Sequence, residues 1–257
     1  MQRCSATIVT IAAAARARAE GFAALGLKGF WMGYFASRAA AMGPVEPAVV
    51  TATFHGFAPW MVERALPDAW AIATPAAVLD ARHTGVDAAL RRALGDLDVA
   101  AAAQRARAAI ERCDPAGRPL FAAHAALPWP EEPRLALWHA TTLLREHRGD
   151  AHVAILTAHG IDGVMSQVLQ VRRGATTRDD LMKTRGWTDD EWAAAEERLA
   201  RLDLPDGARE SIEDLTDERS VGDATLAEIL APIADRVRAA GDIRFPNPIG
   251  LPGHATG

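Results

Sequence analysis

The sequence predicts an all-α protein, a multi-helix bundle that carries a degenerate helix-turn-helix subdomain. Three observations predict it. Apolar residues recur at helical spacing from end to end, helix-start and helix-stop residues fall where that spacing breaks, and no run alternates as a half-buried strand does. At 257 residues the chain is long enough to bury a substantial core.

The elements follow in order. Leu27–Ala41 is apolar and aromatic and is stopped by Gly43-Pro44. Pro47 opens the next helix, in EPAVVTATFHGF, because a proline at the first helical position gives up no hydrogen bond. Thr74 ahead of Pro75 is a side-chain cap before a starting proline and predicts a helix to about Leu94. Leu97–Cys113 follows and ends at Asp114-Pro115-Ala116-Gly117. The three prolines of Leu127–Pro133 stiffen the connection, and a subdomain boundary is expected there, dividing 1–126 from 127–257. Then come Arg134–Arg148, a chain-reversing Gly149-Asp150 turn, Ala151–His159 and Gly163–Arg173. Thr177 with Asp180 and Thr188 with Glu191 have capping-box spacing and start helices to Arg185 and to about Leu202. A last helix spans about Asp223–Ala240. The stiff, proline-rich FPNPIGLP after it is placed to act as a lid.

The net charge of -5 supplies no general basic field to attract a nucleic-acid backbone. Cys4 and Cys113 have neither metal nor disulfide spacing. The opening MQRCSATIVTIAAAA runs into ARARAEGF without a cleavage site, and no apolar run approaches the roughly 20 residues of a membrane span. The expected location is cytoplasmic, with no membrane partner.

Around Arg185-Gly186-Trp187 a short helix, a glycine turn and a longer capped helix resemble a helix-turn-helix. The second helix begins Asp189-Asp190-Glu191, which would bring carboxylates to a polyanion. The segment Asp203–Ala208 is too short for a wing hairpin. A structural scaffold is therefore expected here, and nucleic acid is not the expected partner.

The stretches GLKGFWMGYFASRAA, ALPWPEEPRLALWHATTLLREHRGDAH, RGWTDDEWAAAEERL and FPNPIGLP together resemble a widespread actinobacterial family. That resemblance implies a helical N-terminal half and a MarR-like winged-helix C-terminal half. It covers most of the chain and implies little about reaction, since the family is known by its fold. SATIVTIAAAA and the shortened wing depart from the pattern and point towards a specialised pocket.

The candidate site is the segment Leu137–His159, which places four histidines, two arginines, a glutamate and an aspartate in an apolar stretch. His139 and Glu146 share a helix face about 10.8 Å apart, suited to approaching a small molecule from either end as acid/base and partner carboxylate. On the aromatic helix, Tyr34 is a third catalytic candidate, with Trp31 as wall and Arg38 as anchor. His55, Trp138, Thr142 and His152 complete the expected substrate-binding set. Arg145 and His147 point elsewhere on this helix, and Asp150 is expected to cap the following one. The competing reading is a structural ion-pair network of Arg145, Glu146, Arg148 and Asp150.

HExxH spacing, a phosphate-binding glycine loop and a GxSxG elbow are lacking, so neither metal nor cofactor is expected. The leading expectation is a cofactor-independent enzyme of specialised metabolism, of cyclase, isomerase or lyase type, acting on a small molecule. The alternative is a ligand-responsive MarR-like transcription regulator, and either is compatible with a homodimer.

Overall fold

The computed structural model describes residues 7–10, 19–174, 176–202, 208–222 and 224–243. The fold is all-α, and among the described residues there is no strand. Residues 7–10 are helical, and α1 (Ala19–Ala24), α2 (Gly29–Ala39), α3 (Pro47–Phe54), α4 (Pro59–Glu63) and α5 (Leu66–Ile72) follow. Next come α6 (Pro75–Leu94), α7 (Ala100–Ile110) and α8 (Pro119–Ala125). The chain continues through α9 (Pro133–Ala158), α10 (Gly163–Arg172), α11 (Arg178–Arg185), α12 (Asp189–Arg201), α13 (Ala208–Glu218) and α14 (Ala224–Ala239). Prolines open α3, α4, α6, α8 and α9, where a missing N–H costs nothing. Side-chain caps fix several starts: Thr74 accepts from the Ala77 amide, Glu132 from Leu135 and Asp162 from Met165.

The expected Gly149-Asp150 turn is not formed. α9 runs unbroken for 26 residues, about 39 Å at the helical rise. A glycine inside a helix costs about 1 kcal/mol, and tertiary contacts on both sides of Gly149 outweigh that. Arg148 pairs with Asp217 at 3.0 Å and Glu213 at 2.7 Å, which ties α9 to α13. Asp150 is no N-cap; it accepts from the Phe121 amide at 2.9 Å and so satisfies a donor at the start of α8.

Three apolar clusters surround this spine. The first joins Leu90, Leu94 and Ala106 of α6 and α7 to Leu137 and Trp138 of α9 and Leu230 of α14. It draws on residues from both sides of position 126. The second gathers Phe35, Val50, Phe54, Phe57 and Leu66 in the N-terminal part. The third packs Leu156, Ile161, Val168, Leu181, Trp192 and Leu199.

The second and third clusters meet at a tight junction. His55 is the one non-glycine residue with positive φ among those described, at 47°, and the Gly56 amide donates back to the Phe54 carbonyl. This has the form of a strained γ-turn. The His55 carbonyl oxygen lies where a Cβ on Gly163, the first residue of α10, would sit. Gly163→Ala is therefore expected to destabilise the protein by about 2–3 kcal/mol through overpacking, read as a lower urea midpoint with unchanged slope.

Candidate functional site

The site grows from α2. Its apolar face buries Phe35, and its aromatic residues stack with the loop that follows α3, with Tyr34 and Phe57 ring centroids 5.7 Å apart. Arg38, in the last turn, reaches across to the spine and donates to Glu146 at 2.8 Å and to the Tyr34 hydroxyl at 3.3 Å. Arg145 grips the other oxygen of the same carboxylate. Above this cluster lies a cavity of about 290 Å³. The N-terminal part gives it Tyr34, Arg38, Phe54, His55 and Phe57, and α9 gives Arg145, Glu146, Arg148, Asp150 and His152. Ser166, Gln167, Gln170, Arg173 and Arg185 close the remaining side.

Charge within this wall is not uniform. Burial pushes the Glu146 carboxyl up, but Arg145 and Arg38, backed by His124 and Arg82, outweigh it and hold the pKa at about 2. Glu146 is a fixed anion at neutral pH. Burial raises the Asp150 carboxyl to about 6; the Phe121 amide opposes the shift and Glu146 reinforces it. Burial also disfavours charge on Arg185, and Arg38 and Arg145 add to that against the help of Tyr34. Its guanidinium covers the Phe57 ring at 4.6 Å, as Arg38 covers Phe54 at 4.3 Å.

The structure brings Tyr34, Arg38, His55, Glu146 and His152 to one cavity. Four other expected residues are not in its lining: His139, Trp138, Thr142 and Trp31. His139 packs edge-on against Trp129 at 4.7 Å, on the side of the first apolar cluster. Burial, with His83, Arg82 and Arg107 adding to it, lowers its pKa to about 4, so the imidazole is neutral in its aromatic setting. Trp138 lies under the Arg82 guanidinium at 4.7 Å, and Thr142 is buried within α9. Trp31 packs in the aromatic cluster against Phe35 and Phe57. His147 lies against Phe121, and His152 Nδ1 is 3.0 Å from the Thr216 hydroxyl oxygen. The FPNPIGLP segment lies outside the described residues.

Several lining residues were missed by sequence reasoning. Arg145, expected to point elsewhere, and Asp150, expected as an N-cap, both line the cavity, and Gln167 and Arg185 carry no sequence signal for a pocket. The missing signal was periodicity across Gly149: residues 145, 149, 152 and 156 recur at helical i, i+4, i+7, i+11 spacing once the helix continues. Three or more His, Cys, Asp or Glu residues grouped to hold a metal are not found among the described residues.

Beside the cavity stands the helix-turn-helix unit of α11 and α12. Gly186 adopts the left-handed conformation at φ 79°, and a Cβ there would also meet Met61. Thr188 and Glu191 close the full capping box that starts α12. The turn is clamped by the N-terminal part. Ala58 donates to the Arg185 carbonyl at 2.8 Å, the Trp60 indole to the Gly186 carbonyl at 2.7 Å and the Trp187 indole to the Gly56 carbonyl at 3.1 Å. The exposed face of α12 carries Asp189, Asp190, Glu191, Glu196 and Glu197, and its Arg198 and Arg201 are paired with Asp162 and Glu197. Of the arginines ahead of α12, Arg173 and Arg185 line the cavity, and Arg178 pairs with Asp189 in the first turn of α12 at 2.7 Å. After α12 the next described element is the helix α13, and no wing strand occurs among the described residues.

A family model described as a helix-turn-helix family matches residues 1–244, and the chain belongs to that family. No curated protein and no solved structure matches it. In this structure the helix-turn-helix unit of α11 and α12 contributes Arg185 to the wall of a charged cavity.

The Asp150 environment sets a pH dependence. An aspartate whose folded pKa, about 6, exceeds its unfolded value of 3.8 holds its proton more tightly in the folded state. Its contribution therefore favours folding at low pH and is lost as pH rises through 6. Asp150→Asn keeps the acceptor for Phe121 and is expected to be more stable than the parent by about 1–2 kcal/mol above about pH 7. The advantage should vanish near pH 4 in paired thermal melts; an equal advantage at both pH values would contradict the assignment.

Proposed function

We propose that the protein is a ligand-responsive regulator of helix-turn-helix type, with the cavity as its effector site. The observation that carries this reading is Arg185. It ends α11, opens the helix-turn-helix turn and lines the cavity, while its carbonyl is held by Ala58. A ligand that engages Arg185 acts on the turn that sets α11 against α12. It also acts near His55, whose strained backbone belongs to the same junction. A two-state change in how residues 185–187 dock onto residues 56–60 is the element through which binding is transmitted.

The charge on α12 shapes the output. Of five exposed carboxylates, Asp189 and Glu197 are paired with Arg178 and Arg201, and the charge of Asp190, Glu191 and Glu196 makes this helix repel a phosphate backbone. The regulatory event is accordingly placed in the docking of the helix-turn-helix unit rather than in base contacts by the first turn of α12. Replacing Asp189, Asp190 and Glu191 by their amides is expected to strengthen binding to random duplex DNA by about threefold to tenfold at low salt, measured by fluorescence anisotropy.

One observation favours a second reading, a cofactor-independent enzyme. Glu146 and Asp150 share the cavity with pKa values of about 2 and about 6, a permanent anion beside a carboxyl that exchanges its proton near neutrality. In that reading Asp150 is the acid/base, and Tyr34 and Arg38 hold an oxygen that gains charge.

A thermal-shift screen of small metabolites, followed by hydrogen exchange and mass spectrometry on each hit, separates the two. The regulator predicts an unchanged ligand and slowed exchange across 178–202. The enzyme predicts a consumed ligand. Protection confined to the cavity wall, with no effect on 185–187, would contradict the regulator.

A further inference from the structure

The charges around the cavity are answered within the protein. Arg38 and Arg145 hold Glu146, Arg148 holds Asp217 and Glu213, and Arg173 lies 3.6 Å from Glu213. Arg185 covers the Phe57 ring and donates to the Thr184 carbonyl at 3.3 Å. Asp150, with its pKa at about 6, is largely ionised at neutral pH and accepts from the Phe121 amide. A charged ligand would have to compete with partners already in place.

What the lining leaves open is one acceptor and one donor. Gln167 is 7% exposed and lines the cavity, and its Oε1 is buried with no hydrogen-bond partner among the described residues. The neighbouring serine fixes which end of the amide this is. Ser166 Oγ lies 2.7 Å from the Gly163 carbonyl and spends its single proton there, so towards Gln167 it can only accept. The amide atom 3.0 Å from it is therefore the donor Nε2, and the carbonyl end is the one left over. Glycine at position 56 admits this placement, since a Cβ there would sit 2.7 Å from Gln167 Nε2. The donor is Arg38 Nε, which is buried without a partner on a residue of the same lining. Both groups reach the loop that leaves α3: the Arg38 guanidinium lies 4.3 Å over the Phe54 ring, and Gln167 stands against Gly56 two residues on. Each has given up its bond to water with nothing in return, and a ligand that supplies the missing partner recovers that cost.

The ligand's body follows from the rest of the wall. Phe54, Phe57, Leu120 and Leu156 give it apolar surface, and a volume of about 290 Å³ is at the small end for a ligand cavity. We infer that the cavity takes an uncharged planar amide, a small aromatic carboxamide or lactam whose N–H donates to Gln167 Oε1 and whose carbonyl accepts from Arg38 Nε. This rests on the ligand-binding reading above and adds the chemistry of the ligand.

The test uses the full chain with benzamide, acetophenone and benzoate, by calorimetry and thermal shift at neutral pH. The three share a ring and a shape. Acetophenone has a methyl group in place of the amide nitrogen and so lacks the donor, and benzoate lacks the donor and carries a charge. Benzamide is expected to bind and raise Tm, acetophenone to bind about tenfold more weakly, and benzoate to bind no better than acetophenone. Gln167→Leu, with its fold checked by circular dichroism, should bring benzamide down to the affinity of acetophenone. Should that variant not fold, Gln167→Met gives the same comparison. Because the readout is a ratio of two ligands on one variant, a general loosening of the cavity does not mimic it.

Acetophenone or benzoate binding as tightly as benzamide, a benzamide preference that survives loss of the Gln167 amide, or no binding by any of the three overturns the inference. Hydrogen exchange keeps it separable from the regulator reading. Acetophenone or benzoate that matches benzamide and slows exchange at 185–187 would overturn the amide while leaving the regulator standing. Benzamide bound through Gln167 that leaves 178–202 unchanged would do the reverse.

Discussion

One carboxylate governs the architecture around the cavity. Glu146 is buried on the spine helix and gripped by Arg145 from its own helix and by Arg38 from the aromatic helix. A buried carboxylate with a single missing partner would be strongly destabilising, so the pair fixes the approach of α2 to α9. That approach stacks Tyr34, Phe35, Phe54 and Phe57 together and leaves the space above them open. Both oxygens of this carboxylate are held by guanidinium groups that themselves line the cavity. The structural ion network and the candidate binding site are one set of atoms.

The helix-turn-helix unit inherits its position from the same junction. The γ-turn at His55, the lack of a side chain at Gly163 and the hydrogen bonds of residues 56–60 to residues 185–187 bring the turn against the aromatic cluster. Backbone strain at His55 is retained because the surrounding packing over-determines it, and such sites are where two arrangements of similar energy can coexist. The helix-turn-helix unit is here also part of a cavity wall.

Much of the fold was legible from local chemistry. Thr74-Pro75, Thr177 and Thr188 cap the helices they were expected to cap, because capping depends on neighbours a few residues away. Gly149-Asp150 misled, because local turn propensity was overridden by Arg148 and Asp150 bonding to α13 and α8, partners distant in sequence. The expected turn hid both Arg145 and Asp150 as cavity-lining residues. Tyr34, Arg38 and Glu146, singled out because titratable groups in apolar stretches need partners or a purpose, line the cavity. His139 met the same criterion but found its place edge-on to Trp129, a pairing no spacing rule reveals. Arg185 could not be read from sequence, since its direction depends on how the turn docks onto residues 56–60.

The account stands most directly on the coupling between Arg38 and Glu146, which a double-mutant cycle measures. Arg38→Met, Glu146→Gln and the double variant would be unfolded in urea at neutral pH. The account predicts that each single change is destabilising and that the double variant recovers about 2 kcal/mol or more relative to their sum, because Arg38 is then no longer left facing a lost carboxylate, while Arg145 loses that carboxylate equally in both Glu146→Gln backgrounds. Additivity within about 0.5 kcal/mol would contradict it and show that the two residues do not hold the aromatic helix to the spine.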